Sequence, residues 1–553
     1  MLIFSIILLL LSNSLSLARD NSIYYSRVGI IINTYCMYIC YNNYYLFYLD
    51  KGIGIFGGLF NISSLTYSFD ILILILSIFI LNLTGFYSKK ITFDFRKNIG
   101  ILPSEYIKYF NHIINVKWVQ YTLREYTLLL LFIITGSIFL ISSSDLISVY
   151  LSIELQSYGL YILCTIYRNS EASTSSGLTY FLLGGLSSCF ILLGIGLIYA
   201  NSGTTNFDSF YIITNISNIL NEKNNLIYWD NTKYIPYSLL IISIGFLFKI
   251  SAAPYHFWSP DVYDGIPTIV TTFVAIIPKI SILAILLYLV HYTNNIYISN
   301  EYNWTYCLLF SSLLSLIIGT ILGLSQARIK RLFAYSTISH VGFLLLAISI
   351  NSVESIQSFV FYLIQYSISN LNAFFLLISI GYSLSYYINE NVKSINLIDK
   401  YYSPIQLLSQ IRGYFSINYV LAISLAITIF SFAGIPPFVG FFAKQMVLSA
   451  ALQNGYVFMA LIGVITSVIS AVYYLNIVKI MFFDNHSYNN KFNEIFKGTY
   501  LHDVNYLNKS NFPLSSSLSI TISIFTLIIL FFMFMPDQWL HLSNLLSIMF
   551  FSF

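Results

Sequence analysis

Apolar residues in this chain come in long unbroken runs and not in stripes. Ile71–Leu83, Thr127–Ile141, Phe181–Tyr199, Ser281–Val290 and Ile520–Met535 show no polar face at either helical or strand spacing. Runs that approach or pass ~18 residues once Ser, Thr and Gly are counted in read as membrane-spanning helices. About fourteen such spans are predicted. They centre near Leu9, Met37, Ile75, Ile133, Leu155, Leu186, Gly245, Lys279, Leu314, Ser339, Phe374, Ser431, Ile469 and Thr526. The fold class is therefore all-α, a polytopic integral membrane protein. The first run, Leu2–Leu17, lacks the basic start and small-residue cleavage site of a secretory signal. It also lacks the Arg-rich amphipathic character of a transit peptide, so it reads as a retained first helix.

Composition agrees. The 553 residues are 57% hydrophobic and 9% charged, with mean hydropathy +0.76. A soluble domain carries roughly 25% charge, and 22 acids with 26 bases cannot clothe a water-soluble surface of this size. Basic stretches are too sparse for nucleic acid. The five cysteines lie in or beside apolar segments without a CxxC spacing, and read as buried thiols. The abundance of Tyr and Phe, 47 and 46 residues, hints at an AT-biased organellar gene.

The placement of the bases matters more than their number. Twenty of the 26, including Lys89, Lys90, Arg96, Lys97, Arg328, Lys330, Arg331, Lys393 and Lys400, fall in odd-numbered connections or at their edge. Even-numbered connections hold Lys51, Lys223 and Lys233. By the positive-inside rule both termini lie on the opposite, base-poor face.

Spans seven and twelve each carry a breaker. One reads Phe248-Lys249-Ile250-Ser251-Ala252-Ala253-Pro254, the other Ala433-Gly434-Ile435-Pro436-Pro437 followed by Lys444. Proline removes a helix donor and clashes with the preceding turn. In lipid such breaks survive only against protein or a wet cavity. An odd interval of five spans makes helices four to eight and nine to thirteen inverted five-helix repeats, each with a broken helix, a pattern that places a transport site near the midplane. Two unrelated kinks are the alternative. The division expected is residues 1–124, a three-helix segment with a basic loop; 125–292 and 302–483, the two repeats; and 484–553, a polar loop and C-terminal helix.

The remaining three bases, Lys249, Lys279 and Lys444, lie inside spans, as does Glu154. An ionisable side chain at mid-membrane costs about 2.5–3.5 kcal/mol on the insertion scale, so it faces protein and marks a function. Glu154 is nine residues beyond Asp145, ~13 Å along a helix, too deep to reach headgroups. Lys249 is its expected partner; a static salt bridge is the alternative role. Lys279 follows Pro278 about half a span from either end. A lysine held between burial and a carboxylate can exchange a proton near neutral pH. His340 can shuttle protons or serve only as hydrogen-bonded packing. His256 lies by the first break and is open to either role. The Arg328/Lys330/Arg331 cluster reads as a topology anchor. The GxGxxG match at Gly52–Gly57 follows no strand and opens no βαβ unit, so no dinucleotide site is inferred. No Walker A, hydrolase, metalloprotease or bis-histidine haem pattern is present.

Four stretches together resemble the antiporter-like subunits of respiratory complex I. They are Ser152-Ile-Glu154-Leu-Gln156-Ser-Tyr-Gly159, the run Phe248–Gly265 with its Pro254-Tyr-His256-Phe-Trp258-Ser-Pro260-Asp261 core, Arg328-Ile-Lys330-Arg331 through His340-Val-Gly342, and Ala433–Pro437 with Lys444. The likeness spans about Asp50 to Phe483; the polar loops 88–124 and 201–232 carry less of it. The resemblance implies that Glu154 pairs with Lys249, that Lys279 relays through His340, and that Lys444 is the terminal proton site of the second half. It implies a share in NADH:ubiquinone reductase activity coupled to proton translocation, in the mitochondrial inner membrane. The partners implied are other membrane-arm subunits, lipids and protons, with no nucleic acid. No cofactor or metal is expected in this chain; NADH, FMN, iron–sulfur clusters and ubiquinone are expected on other subunits. A free-standing cation/proton antiporter and a purely structural membrane subunit are the competing readings.

Overall fold

The computed structural model describes residues 1–15, 22–44, 52–85, 125–168, 170–209, 211–213, 235–293, 303–389, 405–484 and 516–552. The loop bases Arg19, Lys51, Lys89, Lys90, Arg96, Lys97, Lys108, Lys117, Arg124, Lys223, Lys233, Lys393, Lys400, Lys491, Lys497 and Lys509 lie outside the described residues, as do loops 88–124 and 214–232.

Every predicted span centre falls inside a helix. In chain order these are α1 (Leu2–Leu15), α2 (Ser22–Tyr44), α3 (Ser64–Gly85), α4 (Glu125–Ser142), α5 (Leu146–Thr165), α6 (Glu171–Ser202), α7 (Ile235–Ile250), α8 (Trp258–Gly265), α9 (Thr268–Tyr292), α10 (Thr305–Leu324), α11 (Ile329–Ile350), α12 (Val353–Asn389), α13 (Tyr419–Ala433), α14 (Val439–Gln453), α15 (Val457–Phe482), α16 (Ser516–Phe531) and α17 (Pro536–Ser552). Among the described residues, ten helices are long and apolar enough to cross a membrane. Helix is what lipid demands, since it satisfies every backbone group within one segment.

Spans seven and twelve are each two helices, α7 with α8 and α13 with α14, on either side of the proline breaks. These are the broken helices expected from the sequence; α17 and a small hairpin of β1 (Ile53–Ile55) with β2 (Phe60–Ile62), paired antiparallel with Ile53 opposite Ile62, are additions to that expectation. The GxGxxG match is that hairpin. Its glycines serve left-handed backbone, with φ of 77° at Gly52 and 72° at Gly57.

The helices are not equally wet or greasy on their sides. α9 is 94% buried over its apolar window, whereas α6 and α15 are 39% buried. Thus α9, α11 and α12 form the centre of the bundle, and α6 and α15 present apolar faces outward. A charge carried on α9 or α11 therefore points at protein. α4 packs on α5, α6 on α7, α10 on α11, and α12 on α14. At Gly440, in the first turn of α14, an added Cβ would run into the carbonyl oxygen of Ser431 on α13. The second break depends on that close backbone approach.

Gly440→Ala is expected to destabilise the protein by about 1–3 kcal/mol through overpacking. Gly185→Ala on α6, where an added Cβ meets nothing within 4 Å, is the control. Thermal melting of the purified assembly checks this; equal midpoints for the two variants would contradict it.

Candidate functional site

The first break sets the site. α7 stops at Ile250 because Ser251 adopts φ 65° and Pro254 can offer no N–H. The carbonyl of Phe248, freed by the ending helix, accepts from the Ser251 N–H at 3.1 Å and from the Trp258 indole at 2.9 Å. Lys249 thus sits in the last turn of α7, where the helix dipole favours a cation. α5 begins on an Asp145 cap, whose carboxylate accepts the Ile147 N–H at 3.0 Å. Glu154 follows two and a half turns later.

Lys249 Nζ and Glu154 Oε1 are 3.3 Å apart, with side chains 7% and 14% exposed. Ser157 Oγ, one turn on, lies 3.4 Å from Glu154 Oε2. At an effective dielectric near 20 this attraction is about 5 kcal/mol. Desolvating the two ions costs several kcal/mol each. The pair is therefore close to balance, and a small displacement can decide whether it stays closed.

A small cavity of about 20 Å³, room for a single water, adjoins Lys249, bounded by Gln156, Ser157, Tyr180, Trp258 and Pro278. It reaches α9 one residue from Lys279. Beside it, Gln156 Nε2 donates to Ser281 Oγ at 3.0 Å, a polar bridge between α5 and α9. Lys279 is 2% exposed. Its Nζ donates to Thr337 Oγ1 at 3.2 Å and lies 5.7 Å from the Tyr263 ring centre.

Thr337 and His340 are one turn apart on α11, so Lys279 and the imidazole share a helix face. His340 Nδ1 and the Tyr362 hydroxyl are hydrogen-bonded at 2.7 Å, and Tyr474 hydroxyl lies 3.4 Å from Nε2. Phe432 packs on the imidazole at 5.3 Å and stacks on Tyr474 at 5.8 Å. At the second break Lys444, 7% exposed, donates to the carbonyls of Phe432 and Ala433, both at 2.9 Å. These are C-terminal carbonyls of α13, left without intrahelical donors. Both breaks therefore bring an ammonium to a helix C-terminus. The first adds a carboxylate; the second offers carbonyl oxygens.

Glu154, Lys249, Lys279, His340 and Lys444 thus line one buried row, from the α5–α7 contact through α9 and α11 to the second break. His256 lies off it, its Nδ1 3.3 Å from the Pro254 carbonyl. The anchor cluster differs in one member. Arg328 and Arg331 reach Asp264 at 2.5 and 3.1 Å, and Arg331 reaches Asp261 at 2.8 Å, strapping α11 to α8. Lys330, read from the sequence as a loop base, is instead 1% exposed and donates to the Ile266 carbonyl at 2.6 Å. Helical phase explains it, because Lys330 lies on the inward face of α11 while Arg328 and Arg331 share the outer one. That phase was readable from the sequence. Thr337, Gln156, Ser281, Tyr362 and Tyr474 were not singled out, since neutral polar residues in a span give no comparable signal.

Asp264 is 7% exposed between two guanidinium groups and Asp261 is 67% exposed. Asp264→Asn is expected to lower stability by about 1.5–3 kcal/mol, because it removes the charge of an acceptor shared by two guanidinium groups. Asp261→Asn is expected to cost under about 1 kcal/mol, as for a surface pair. Melting of the two variants checks the order, and equal losses would contradict it.

Comparison with known proteins places this row in context. A family described as NADH:quinone oxidoreductase/Mrp antiporter, transmembrane, matches residues 143–470, which hold all five row residues. NADH-ubiquinone oxidoreductase chain 2 of Rhizopus oryzae is 43% identical over 99% of this chain and 99% of its own length. NADH-quinone oxidoreductase subunit N of Pelagibacter ubique is 37% identical over 68% of this chain and 73% of its own. Among solved structures, a chain of respiratory complex I from Thermus thermophilus with bound aureothin shares the fold, with TM-score 0.66 at 21% identity over 98% of this chain and 97% of that one.

Proposed function

Since the chain belongs to the NADH:quinone oxidoreductase/Mrp antiporter transmembrane family, we propose that it works as a membrane-arm subunit of proton-translocating NADH:ubiquinone oxidoreductase, as a multi-pass protein of the mitochondrial inner membrane. Its share of the reaction is proton movement. NADH oxidation and ubiquinone reduction take place on other subunits, which supply flavin, iron–sulfur clusters and quinone. The observation that carries this reading is the 3.3 Å contact of Lys249 with Glu154 inside the buried row. A free-standing antiporter fits less well, because relatives that align across most of the chain carry oxidoreductase-subunit names.

The row suggests how a push becomes a proton step. With the pair closed, Glu154 balances the Lys249 ammonium. Drawing Glu154 away leaves a buried cation without its countercharge, and the proton passes through the cavity beside Gln156 toward Lys279. Lys279 hands on along α11 toward His340, whose two nitrogens face Tyr362 and Tyr474. Lys444 ends the row. The paired breaks support taking 125–292 and 302–483 as inverted halves, with 1–124 and 484–553 flanking them. α7 with α8 then corresponds to α13 with α14, and Lys249 to Lys444.

Lys249→Ala and Glu154→Gln are expected to leave the complex assembled while cutting coupled NADH:ubiquinone turnover about a hundredfold or more, the scale for losing a positioned proton-transfer group. Turnover and proton-to-electron ratio in sealed membranes are the readout. Assembled variants with wild-type values for both would overturn the proposal.

A further inference from the structure

The relay above does not use Asp70, a carboxyl buried in α3. It is 5% exposed, and its Oδ1 has no hydrogen-bond partner among the described residues. Two further buried polar atoms that lack a close hydrogen-bond partner among the described residues lie on the helix it packs against. They are His291 Nδ1 and the Tyr288 hydroxyl, the latter facing Ser63 just ahead of α3, both in the last turns of α9. The end of α17 draws these elements together. Phe550 packs on Tyr288 at 5.6 Å and on His291 at 4.6 Å, and Ser64 Oγ at the start of α3 lies 3.8 Å from Met549 Sδ. Native proteins rarely leave buried polar atoms unpaired, and where several gather, water is the usual partner.

The groups within electrostatic reach of Asp70 are Cys40 on α2, Tyr67 on α3 and Tyr288 on α9. Neither α16 nor α17 brings a lysine or arginine to it, and Glu125 of α4 is exposed at that helix's start. Intramembrane carboxyls either pair with a cation or mark a proton path. Asp70 has no such cation among the described residues.

Position gives the cluster its role. α9 starts beside Ile266, against the Arg328–Asp264 pairs, and ends at Tyr292. A 25-residue helix rises about 37 Å, so its two ends lie at opposite membrane faces. Tyr288 is nine residues beyond Lys279, about 14 Å along the same helix. We infer that Asp70, with Tyr288 and His291, forms a hydrated proton-holding site between the lysine row and the membrane face opposite the Arg328–Asp264 cluster. Its ligand is the proton, taken up and released by the Asp70 carboxyl through water, with no other bond made or broken. This rests on the proton-translocating reading above.

The test uses Asp70→Asn and Asp70→Glu in the intact complex in sealed membranes, beside Lys249→Ala. Asp70→Asn is expected to assemble and to lose coupled turnover about a hundredfold, with Asp70→Glu largely restoring it. Wild-type turnover and proton-to-electron ratio in Asp70→Asn would overturn the site. If Lys249→Ala is impaired in that case, the site alone falls; if it too is normal, the underlying reading falls with it. Should Asp70→Asn fail to assemble, redox-induced infrared difference spectra of Asp70→Glu against wild type decide. A displaced carboxyl band supports a proton-exchanging group, and identical spectra overturn it.

Discussion

Everything in this structure turns on the cost of keeping ammonium groups inside a membrane. An isolated charge there is disfavoured by several kcal/mol, and the chain carries at least three lysines in that position. Each is handled differently. Lys249 faces a carboxylate, Lys279 a threonine hydroxyl and a tyrosine ring, and Lys444 two carbonyl oxygens. Among the described residues, only Lys249 of the three has a carboxylate within ion-pair distance. A strong, fully satisfied ion pair would hold the bundle together but could not be switched.

The two broken helices follow from the same constraint. A continuous helix spends its carbonyls on its own N–H groups and has none left for a neighbour. Stopping α7 at Ile250 and α13 at Ala433 frees carbonyls and aligns helix dipoles toward the interior. The freed groups are then satisfied by Trp258, Ser251 and Lys444 and not by lipid. Glycine makes the second break possible, since Gly434 at φ 81° caps α13 and Gly440 lets α14 pass close to Ser431.

Much of this is legible in the sequence alone. Charges stand out in apolar runs, so Glu154, Lys249, Lys279, His340 and Lys444 could be named from the sequence, and the prolines marked both breaks. Other parts were hidden for identifiable reasons. Lys330 sits next to two outward arginines, and only helical phase separates it from them. Tyr362 and Tyr474 hold His340, yet they are two among 47 tyrosines. α17 contains Asp537, Gln538 and His541, which interrupt the apolar run expected of a span. The three-residue strands of the hairpin are too short for a period-2 pattern to register. Asp70 carries the same signal as Glu154, but no breaker or motif surrounds it to mark it out.

Proton transfer along the row requires a crossing from the Glu154–Lys249 pair to Lys279 through the cavity beside Gln156. A density map of the assembled complex at a resolution that shows water tests this directly. Ordered water joining Lys249 to Lys279 past Gln156 and Pro278 is the predicted result. A cavity closed by dry apolar packing, with no hydrogen-bonded link between the two amines in any state, would contradict it.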